Sequence, residues 1–362
     1  MPDTHCRSSR DAAGRLVVRS HAAVVAVAAD PQVFSNAVSR HLQIPNGLDG
    51  AEHAAARRLL DPFFSPQALA PLLPLLPLLD GIARALVADF GVAGFDAVAA
   101  LGARYAVRGQ SAWLGWGTEM EDDLLDWVVA NREASRPGEP GRTDEVALRF
   151  DAIVQRLLQQ DRRVPRGGAT TQLRQLRWDD GRVLEDAELV SVLRNWTAGD
   201  LSSIALCAGV VVHWLASHPE CQAMLRQAGD AVLDAAIDEI LRADDPFVSN
   251  RRIATADAVV DGCPVAAGQV LVLDWRAANL DPDAFSDPHG FDPQAHAARN
   301  LVYGFGPHAC PGRPLATAEL RVLVRALLEA GCVEFDAARP PVRELPPVAG
   351  YRSVHVRIVA PA

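Results

Sequence analysis

Apolar positions along this chain group into long stretches, which predict that most of the protein is helical. These stretches are longer than a typical strand, and several end at proline or glycine, the residues that most often stop a helix. The pattern predicts helices over residues 49–60, 69–90, 122–130, 146–160, 185–217, 232–243 and 315–330. The helix over 185–217 is the longest, because no proline interrupts it before Pro219.

Shorter apolar runs separated by turn residues predict strands near the start of the chain and in its last third. Residues 15–28 predict a strand, a turn, and then a second strand or the start of a helix. Residues 247–274 predict several strands, and residues 278–312, rich in Asn, Asp, Pro and Gly, predict an ordered meander. The pattern therefore predicts one α+β domain over residues 1–362, predominantly α-helical with small β-sheets.

The composition limits the class of protein. The chain has 362 residues, of which 49% are hydrophobic, so it can bury a sizeable core, and intrinsic disorder is excluded. Its 45 acidic residues outnumber its 35 basic ones, which gives a net charge of -10 that repels the phosphates of nucleic acids. We therefore expect a globular protein that does not bind nucleic acid.

The cysteines and the apolar runs bear on where the protein resides. Six cysteines are scattered without a CxxC pair, which argues against a disulfide scaffold or a zinc ribbon and is typical of a reducing compartment. The first residues carry no apolar leader segment, and no uncharged apolar run reaches the roughly 18 residues that a membrane-spanning helix needs. We expect a cytoplasmic protein that does not associate with a membrane.

One segment, YGFGPHACPGRPLA at residues 303–316, combines glycines with a single cysteine just before a predicted helix. Glycine allows the backbone to approach a large flat ligand and to adopt positive φ. Cys310 lies near the N-terminus of that helix, where backbone N–H groups and the helix dipole stabilise a thiolate. A thiolate beside such a loop suits an axial ligand of haem iron, whereas the alternative is a buried structural cysteine in a glycine-rich turn.

This segment resembles the cysteine-ligand loop of the cytochrome P450 family, Phe-Gly-x-Gly-x-His-x-Cys-x-Gly-x-x-Leu-Ala. Tyr303 stands where the family has Phe, and the other marked positions match: Gly304, Gly306, His308, Cys310, Gly312, Leu315 and Ala316. The resemblance runs from about residue 15 to the C-terminus and implies the P450 fold with a haem b cofactor, iron protoporphyrin IX. It implies that the Cys310 thiolate is the axial metal ligand and that Tyr303, Gly304 and Gly312 border the cofactor. The Tyr303 hydroxyl either hydrogen-bonds near the sulfur or packs in the core.

Further segments resemble the family's partners of the haem carboxylates. His53 and Arg57 stand four residues apart on one predicted helix, like the family's His-x-x-x-Arg pair. Arg252 resembles the arginine that reaches a haem propionate from a strand, and His308 would be a further donor. Several such donors are expected, because the haem has two carboxylates that burial would otherwise destabilise. A surface strand arginine is the alternative for Arg252, and the neighbouring Arg251 can be confused with it.

Glu239 and Arg242 resemble the family's Glu-x-x-Arg pair, which is structural and braces the loop under the haem. Charges three residues apart lie on one helix face and can pair, although a surface pair is the simpler interpretation. The arginine that usually completes this network is replaced by Ala295 here. We expect His296 or Arg299 to take its place; otherwise Arg242 is under-satisfied.

The long helix departs from the family in its oxygen-activating segment, Ala-Gly-x-Asp/Glu-Thr. Ala198 and Gly199 match, and their small size would let oxygen and the porphyrin lie against a locally loosened helix. The acid position holds Leu201 and the threonine position holds Ser202. Asp200 comes one residue early, which turns it about 100° round the helix. In the family, the acid and the alcohol help to deliver protons to dioxygen.

These departures leave the route of the protons open. Ser202 can still donate a hydrogen bond, but it lacks the methyl group that fixes the rotamer of threonine. Proton delivery is then slow, or it passes through water, Asp200 or Ser203. The candidate catalytic residues are Ser202, Asp200, Gly199 and Ala198. The alternative interpretation is a buried helix whose small residues serve packing.

The resemblance implies a haem-thiolate monooxygenase, an oxidoreductase that oxidises a hydrophobic small molecule with O2 and two electrons. The sequence holds no flavin or iron–sulfur segment, so the electrons would come from separate partners, a ferredoxin and a ferredoxin reductase. The altered helix keeps alternatives open: a peroxygenase or a non-redox haem isomerase or dehydratase, or a non-catalytic haem-thiolate sensor or accessory protein. A non-haem cysteine nucleophile is a further option. The N-terminus is shorter than in typical bacterial members, and we expect a more open pocket or a partner chain that covers it.

Overall fold

The computed structural model of the protein describes residues 8–64, 75–91, 93–136, 142–346 and 348–360, and most of this part of the chain is α-helical. In chain order the helices are α1 (His21–Ala29), α2 (Gly50–Leu60), α3 (Leu75–Phe90), α4 (Ala103–Leu114), α5 (Glu121–Ala134), α6 (Arg142–Arg163), α7 (Ala169–Leu173), α8 (Asp186–Ser217), α9 (Pro219–Gln227), α10 (Asp230–Ala243), α11 (Trp275–Asn279), α12 (Pro293–His296) and α13 (Arg313–Ala330). A π-helical turn, Ala97–Gly102, leads into α4.

The described strands are short and form four small sheets. In chain order they are β1 (Ser9–Arg10), β2 (Leu16–Val18), β3 (Phe34–Ser35), β4 (Phe95–Asp96), β5 (Ser249–Ala254), β6 (Ala258–Val260), β7 (Cys263–Val265), β8 (Val270–Asp274), β9 (Cys332–Phe335), β10 (Val342–Arg343), β11 (Tyr351–Ser353) and β12 (His355–Val359). The largest sheet has the order β1-β2-β8-β5-β3, in which β2 and β8 are parallel. The others have the orders β4-β12-β9, β6-β7 and β10-β11. Many helices with a few small sheets confirm the predicted fold class.

The core is built around α8, a helix of 32 residues. A capping box starts it, because the side chains of Glu185 and Glu188 each accept a hydrogen bond from the other's backbone N–H. The helix packs against α4, α6, α10 and α13, so it carries residues 198–202 through the middle of the molecule. By length and hydropathy it could cross a membrane, but 65% of its apolar window is buried inside the fold, as in the core helix of a globular protein.

The predicted helices are present, and their ends shift by a few residues. The helix predicted over 69–90 is described only as α3, since residues 65–74 lie outside the described part of the chain. Strands β5 to β8 occupy the predicted strand region, and helix α1, not a second strand, follows β2. That residues 1–362 form one domain stays a prediction.

Helix α4 has no counterpart among the predicted helices. Its sequence interrupts the apolar period with Gly109, Gln110 and Ser111, all of which are buried. Packing against α3 and α8 therefore stabilises this helix, and it needs no regular apolar stripe. A Cβ added at Gly109 would lie 3.0 Å from Leu79 and 3.4 Å from a Glu319 oxygen, so glycine lets α4 approach its neighbours closely.

Candidate active site

The cysteine loop, residues 303–312, directly precedes α13. The N–H of Cys310 donates to the carbonyl of Tyr303 over 2.9 Å, which closes the loop. The Tyr303 hydroxyl lies 3.4 Å from Thr317 Oγ1 on α13. This contact directs the hydroxyl toward the helix, not toward the sulfur, and it favours the packing interpretation of Tyr303.

Two glycines of the cysteine loop adopt left-handed backbone, Gly304 with φ 72° and Gly306 with φ 74°. A Cβ at Gly306 would lie 2.6 Å from the carbonyl oxygen of Ala28, so the close approach of the loop to α1 requires glycine here. The N-cap residue of α13, Gly312, has φ -77°, and a Cβ there would lie 3.7 Å from the Cys310 sulfur. Of these three glycines, Gly312 is therefore the one whose side-chain position borders the sulfur.

Cys310 is an exposed, free cysteine next to the start of α13. Desolvation by the protein around it raises the pKa of its thiol, and Asp200 adds to the rise. The backbone N–H groups of Gly312 and Arg313 and the guanidinium of Arg57 act in the opposite direction. N–H groups at a helix start stabilise a thiolate, and a metal ion in front of the sulfur would favour it further. The loop therefore presents a sulfur that is suited to ligating a cation.

Arg252 is the inward-facing arginine of β5, whereas Arg251 is exposed. Arg252 is 3% exposed, and no carboxylate of the described residues forms an ion pair with it. The hydrogen bond that it makes goes to the carbonyl of Arg251 over 2.8 Å. Burial lowers the pKa of Arg252 to about 10, and Asp49 acts against this change. Because a buried guanidinium without a counterion is unfavourable, this residue indicates a place for an anionic group.

The rings of His53 and His308 stack, with their centroids 3.9 Å apart. Nε2 of His308 lies 3.2 Å from an Asp49 oxygen, but it is buried without a well-directed hydrogen bond. Burial lowers the pKa of both imidazoles, to about 4 for His308, where His53 and Arg252 add to the effect. Both rings are therefore neutral at pH 7, and each has one N–H to donate.

Arg57 holds the cysteine loop against α2. Its guanidinium pairs with Asp61 over 2.5 Å and donates to the carbonyls of Pro307 and Ala309 over 2.8 and 3.2 Å. The sequence predicts that Arg57 binds the cofactor carboxylates, whereas the described contacts of Arg57 go to Asp61 and to carbonyls of the cysteine loop. The structure thus brings Arg57 to the site, where it fixes the loop against α2.

Glu239 and Arg242 form an internal ion pair, not a surface pair. Arg242 is fully buried and makes two hydrogen bonds of 2.8 Å to the Glu239 carboxylate. It also donates to two backbone carbonyls over 2.7 and 2.9 Å. His296, which is buried, lies 2.7 Å from a Glu239 oxygen, whereas Arg299 donates to a backbone carbonyl. Of the two expected replacements for the missing arginine, His296 is therefore the one that joins the network.

Helix α8 presents Gly199 beside open space. Gly199 is exposed, and a Cβ there would meet no atom within 4 Å; the side chain of Ala198 lies outside what the structure describes. Leu201 is fully buried. Oγ of Ser202 accepts a hydrogen bond of 3.2 Å from the amide of Asn131 on α5. The side chain at the family's acid position thus faces the core, and a neighbouring helix holds the alcohol oxygen.

The described residues fit a bound haem in four respects. An exposed thiol lies at a helix start, open space lies beside Gly199, and the guanidinium of Arg252 is buried without a counterion. Near Arg252, Nε2 of the neutral His308 ring lies 3.2 Å from Asp49 but makes no well-directed hydrogen bond. A sulfur ligand for iron, room against a helix and donors for buried carboxylates are what this cofactor requires.

Comparisons with known proteins agree with this geometry. A family model described as Cytochrome P450 matches residues 179–350, which contain α8, the Glu239–Arg242 pair and the cysteine loop. A solved structure of open cytochrome P450 Eryk from S. erythraea has a TM-score of 0.87 and 26% identity, covering 98% of this chain and 92% of that one. The chain belongs to the cytochrome P450 family.

Curated relatives of this P450 are oxidising enzymes. Erythromycin C-12 hydroxylase of Saccharopolyspora erythraea is 28% identical over 323 residues, which cover 85% of this P450 and 80% of that protein. Cyclomarin C epoxidase CymV of Salinispora arenicola is 28% identical over 348 residues, covering 91% of this P450 and 86% of that protein. This P450 is a monooxygenase, an oxidoreductase of a family that binds haem iron.

Three polar residues near the site of this P450 were not predicted from its sequence. Asn131 is one asparagine in a charged helix, and only the packing of α5 on α8 brings it to Ser202. Gln110 lies in the helix that the apolar pattern did not indicate. The sequence could have singled out Glu319 as a candidate site residue, because it is the one acidic residue in the first half of the helix predicted over 315–330.

Proposed function

We propose that this P450 is a haem-thiolate monooxygenase in which the Cys310 thiolate ligates the iron of haem b. The observation that supports this most directly is an exposed thiol next to the start of α13. This thiol is close enough to Asp200 on α8 for the charge of Asp200 to raise its pKa. The bound haem would supply the oxidising chemistry. The protein's own residues would bind the cofactor, exclude water and hold protons.

In this proposal, Arg252, His53 and His308 donate N–H groups to the two cofactor carboxylates. The buried guanidinium without an ion pair and the imidazole nitrogen without a well-directed hydrogen bond support that role. Tyr303, Gly304 and Gly312 shape the loop on the sulfur side, with Gly312 nearest to the sulfur. The buried ion pair of Glu239 and Arg242 keeps this loop in place.

On the other side, Ala198 and Gly199 leave room for the cofactor and oxygen. Ser202 holds a proton on Oγ. Because this oxygen accepts a hydrogen bond from Asn131, the serine's own hydrogen is free to be donated elsewhere. We place Asp200 in the same proton chemistry, through its contacts with side chains of α4 and α13.

The proposed substrate is a hydrophobic small molecule, and the proposed electron donors are a separate ferredoxin and its reductase. The names of relatives, an erythromycin hydroxylase and a cyclomarin epoxidase, make compounds related to erythromycin and cyclomarin the first to screen. A screen for substrate-induced spin-state shifts would report binding without the redox partner.

We also propose a cytoplasmic location. The free state of Cys207, Cys221, Cys310 and Cys332 supports a reducing compartment. Cys263 stands against it, because it is disulfide-bonded. Cell fractionation together with thiol counting on freshly lysed cells would decide between a reducing and an oxidising compartment.

The iron ligand is tested by replacing Cys310 with alanine. We expect the Cys310→Ala protein to lose the thiolate-type absorption of its reduced carbon monoxide complex, because no other described sulfur lies in the loop before α13. A matched control, Cys221→Ala, removes a free cysteine of α9 and should keep the wild-type spectrum. An unchanged spectrum for Cys310→Ala would overturn the ligand assignment.

A peroxide-driven peroxygenase is the second candidate, and the buried Leu201 at the acid position favours it. A pocket without an acid at that position would use dioxygen poorly, whereas hydrogen peroxide brings its own protons. Turnover with hydrogen peroxide alone is compared with turnover supported by ferredoxin, reductase and NAD(P)H. Efficient turnover only with peroxide would favour the second candidate.

A further inference from the structure

A buried polar cluster joins α8 to the helix that follows the cysteine loop. Asp200 of α8 and Glu319 of α13 lie within hydrogen-bonding reach of each other, and Gln110 of α4 faces the Asp200 carboxyl. Glu319 is 1% exposed and Gln110 is 2% exposed, whereas Asp200 is partly exposed next to the exposed Gly199. The cluster thus extends from the interior to the open side of α8.

The hydrogen-bond acceptors of this cluster outnumber its donors. Oδ2 of Asp200, both carboxylate oxygens of Glu319 and Oε1 of Gln110 are buried and find no donor. Ionised carboxylates only accept hydrogen bonds, so two of them can bond to each other only if one carries a proton. The geometry therefore requires that at least one of the two carboxyl groups, Asp200 or Glu319, is protonated.

The surroundings of the pair favour this proton. Burial raises the pKa of Asp200 to about 7, and burial together with the charge of Asp200 raises that of Glu319. In the described part of the chain, none of the groups that shift either pKa is a cation. The other titratable groups that interact with Asp200 or Glu319 are Tyr105 of α4, Cys207 of α8 and Cys310 of the loop. None of these can supply a counterion for a second negative charge.

We propose that Asp200 and Glu319 share one proton and supply it to the oxygen-binding side of α8, in place of the acid that is missing at Leu201. This inference rests on the proposed monooxygenase function. Converting one substrate C–H bond to C–OH with O2 takes up two electrons, from the electron-transfer protein, and two protons, and it releases one water. The pair gives a proton from a carboxyl oxygen and regains one from solvent, so it is restored in each turnover.

Infrared spectroscopy of the haem-loaded protein tests the shared proton directly. We expect a C=O stretch of a protonated carboxyl that shifts in D2O, is lost in Glu319→Gln and moves in frequency in Asp200→Asn, where the buried Glu319 keeps its proton but loses its carboxyl partner. The variant Glu329→Gln, which changes a partly exposed acid on the same helix, should keep the band. The amide of Glu319→Gln can still donate to Asp200, so a purely structural role would survive this substitution. Absence of the band in the wild type would overturn the proposal.

Turnover of a surrogate hydrophobic substrate, chosen by the spin-shift screen, tests the supply of the proton. Hydrogen peroxide contains the two electrons and two protons that O2 must otherwise acquire. We expect Asp200→Asn and Glu319→Gln to lose about 10²-fold in O2-driven turnover and to keep peroxide-driven turnover. Equal rates for variants and wild type with O2 would overturn the proposal, even if the infrared band is present.

These outcomes separate the pair from the proposed function. If the wild type turns over with neither O2 nor peroxide but shows the carboxyl band, the monooxygenase proposal fails and the shared proton stands. If one of the two variants loses its thiolate-type carbon monoxide spectrum, its haem site is disturbed, and the turnover of the other variant then tests whether the pair supplies protons. Loss of peroxide-driven turnover in both, with intact spectra, would show that the pair shapes the pocket and does not supply protons.

Discussion

The two sides of the site, the cysteine loop below and the segment 198–202 of α8 above, differ in how closely they follow the family. The loop matches the family pattern at every marked position but Tyr303, and it is held by the Cys310 N–H, which donates to Tyr303, and by Arg57, which donates to two loop carbonyls. The α8 segment has Leu201 for the acid and carries its acid one residue early, at Asp200. The difference teaches that a ligand loop tolerates little change, because many backbone contacts depend on it. The residues that we propose to handle protons stand at different positions here, and a carboxyl group can act from more than one position.

The largest effect should come from the buried ion pair of Glu239 and Arg242, which ties α10 to the carbonyls of Asn279 and Pro288. Replacing Arg242 with alanine leaves the Glu239 carboxylate buried without its guanidinium, which should lower the free energy of unfolding by about 3–5 kcal/mol. Chemical denaturation followed by circular dichroism, with haem retention measured in parallel, checks this value. Arg339→Ala is the matched control, because it removes a partly exposed arginine from a surface pair and should change stability by at most about 1 kcal/mol. Equal effects of the two substitutions would mean that the loop side is no more constrained than the surface.

A smaller effect is expected on the α8 side, where the titration of Asp200 should change how the free energy of unfolding depends on pH. Burial raises the folded-state pKa of Asp200 to about 7, whereas the unfolded carboxyl titrates near pH ~4. Such a group contributes its stability fully below the unfolded pKa and loses it as pH rises through the folded pKa. The loss accumulates between the unfolded and the folded pKa values. The stability advantage of the wild type over Asp200→Asn should therefore shrink between these two pH values.

The control for this titration is Asp186→Asn at the start of α8. A hydrogen bond from Arg162 lowers the pKa of Asp186, so the advantage of the wild type over this variant should grow, not shrink, as pH rises. Unfolding curves at several pH values measure both trends. The same trend for the two variants would contradict a buried, protonated Asp200.

The smallest effect concerns the hydrogen bond that holds Ser202. Asn131→Leu keeps most of the side-chain volume but removes the amide donor, which should cost about 0.5–1.5 kcal/mol. We expect a few-fold lower yield of product per NAD(P)H and more hydrogen peroxide released, because the serine hydroxyl is no longer oriented. Asn195→Leu, which removes an amide donor from α8 to the Ile44 carbonyl, is the control. If both variants couple oxygen use to product equally well, the contact with Ser202 serves packing only.

Sequence patterns were sufficient for most of the long helices but missed α4, which is mostly buried. Helix α8 was recognised because it has a long apolar run without proline. Helix α4 was missed because it buries Gly109, Gln110 and Ser111, and apolar periodicity cannot indicate a helix whose buried face is small or polar. Its stability comes from neighbours that are distant in sequence.

The candidate site shows the same division. The motif in the loop singled out Cys310, and the chain order of the motifs pointed to Arg252 and to the pair of Glu239 and Arg242. Sequence alone did not choose between His296 and Arg299, because the distance to Glu239 depends on how the meander folds. The role of Arg57 against the loop carbonyls also depended on that packing.

The sequence by itself determined the fold class, the family and the cysteine before α13, since local periodicity and contiguous motifs are written along the chain. Only the tertiary structure decided that Asp200 meets Glu319 and Gln110, and that Asn131 holds Ser202. The residues in these contacts are between about 70 and 120 positions apart in the sequence. No local sequence pattern predicts such contacts, because they depend on how the buried faces of several helices pack together.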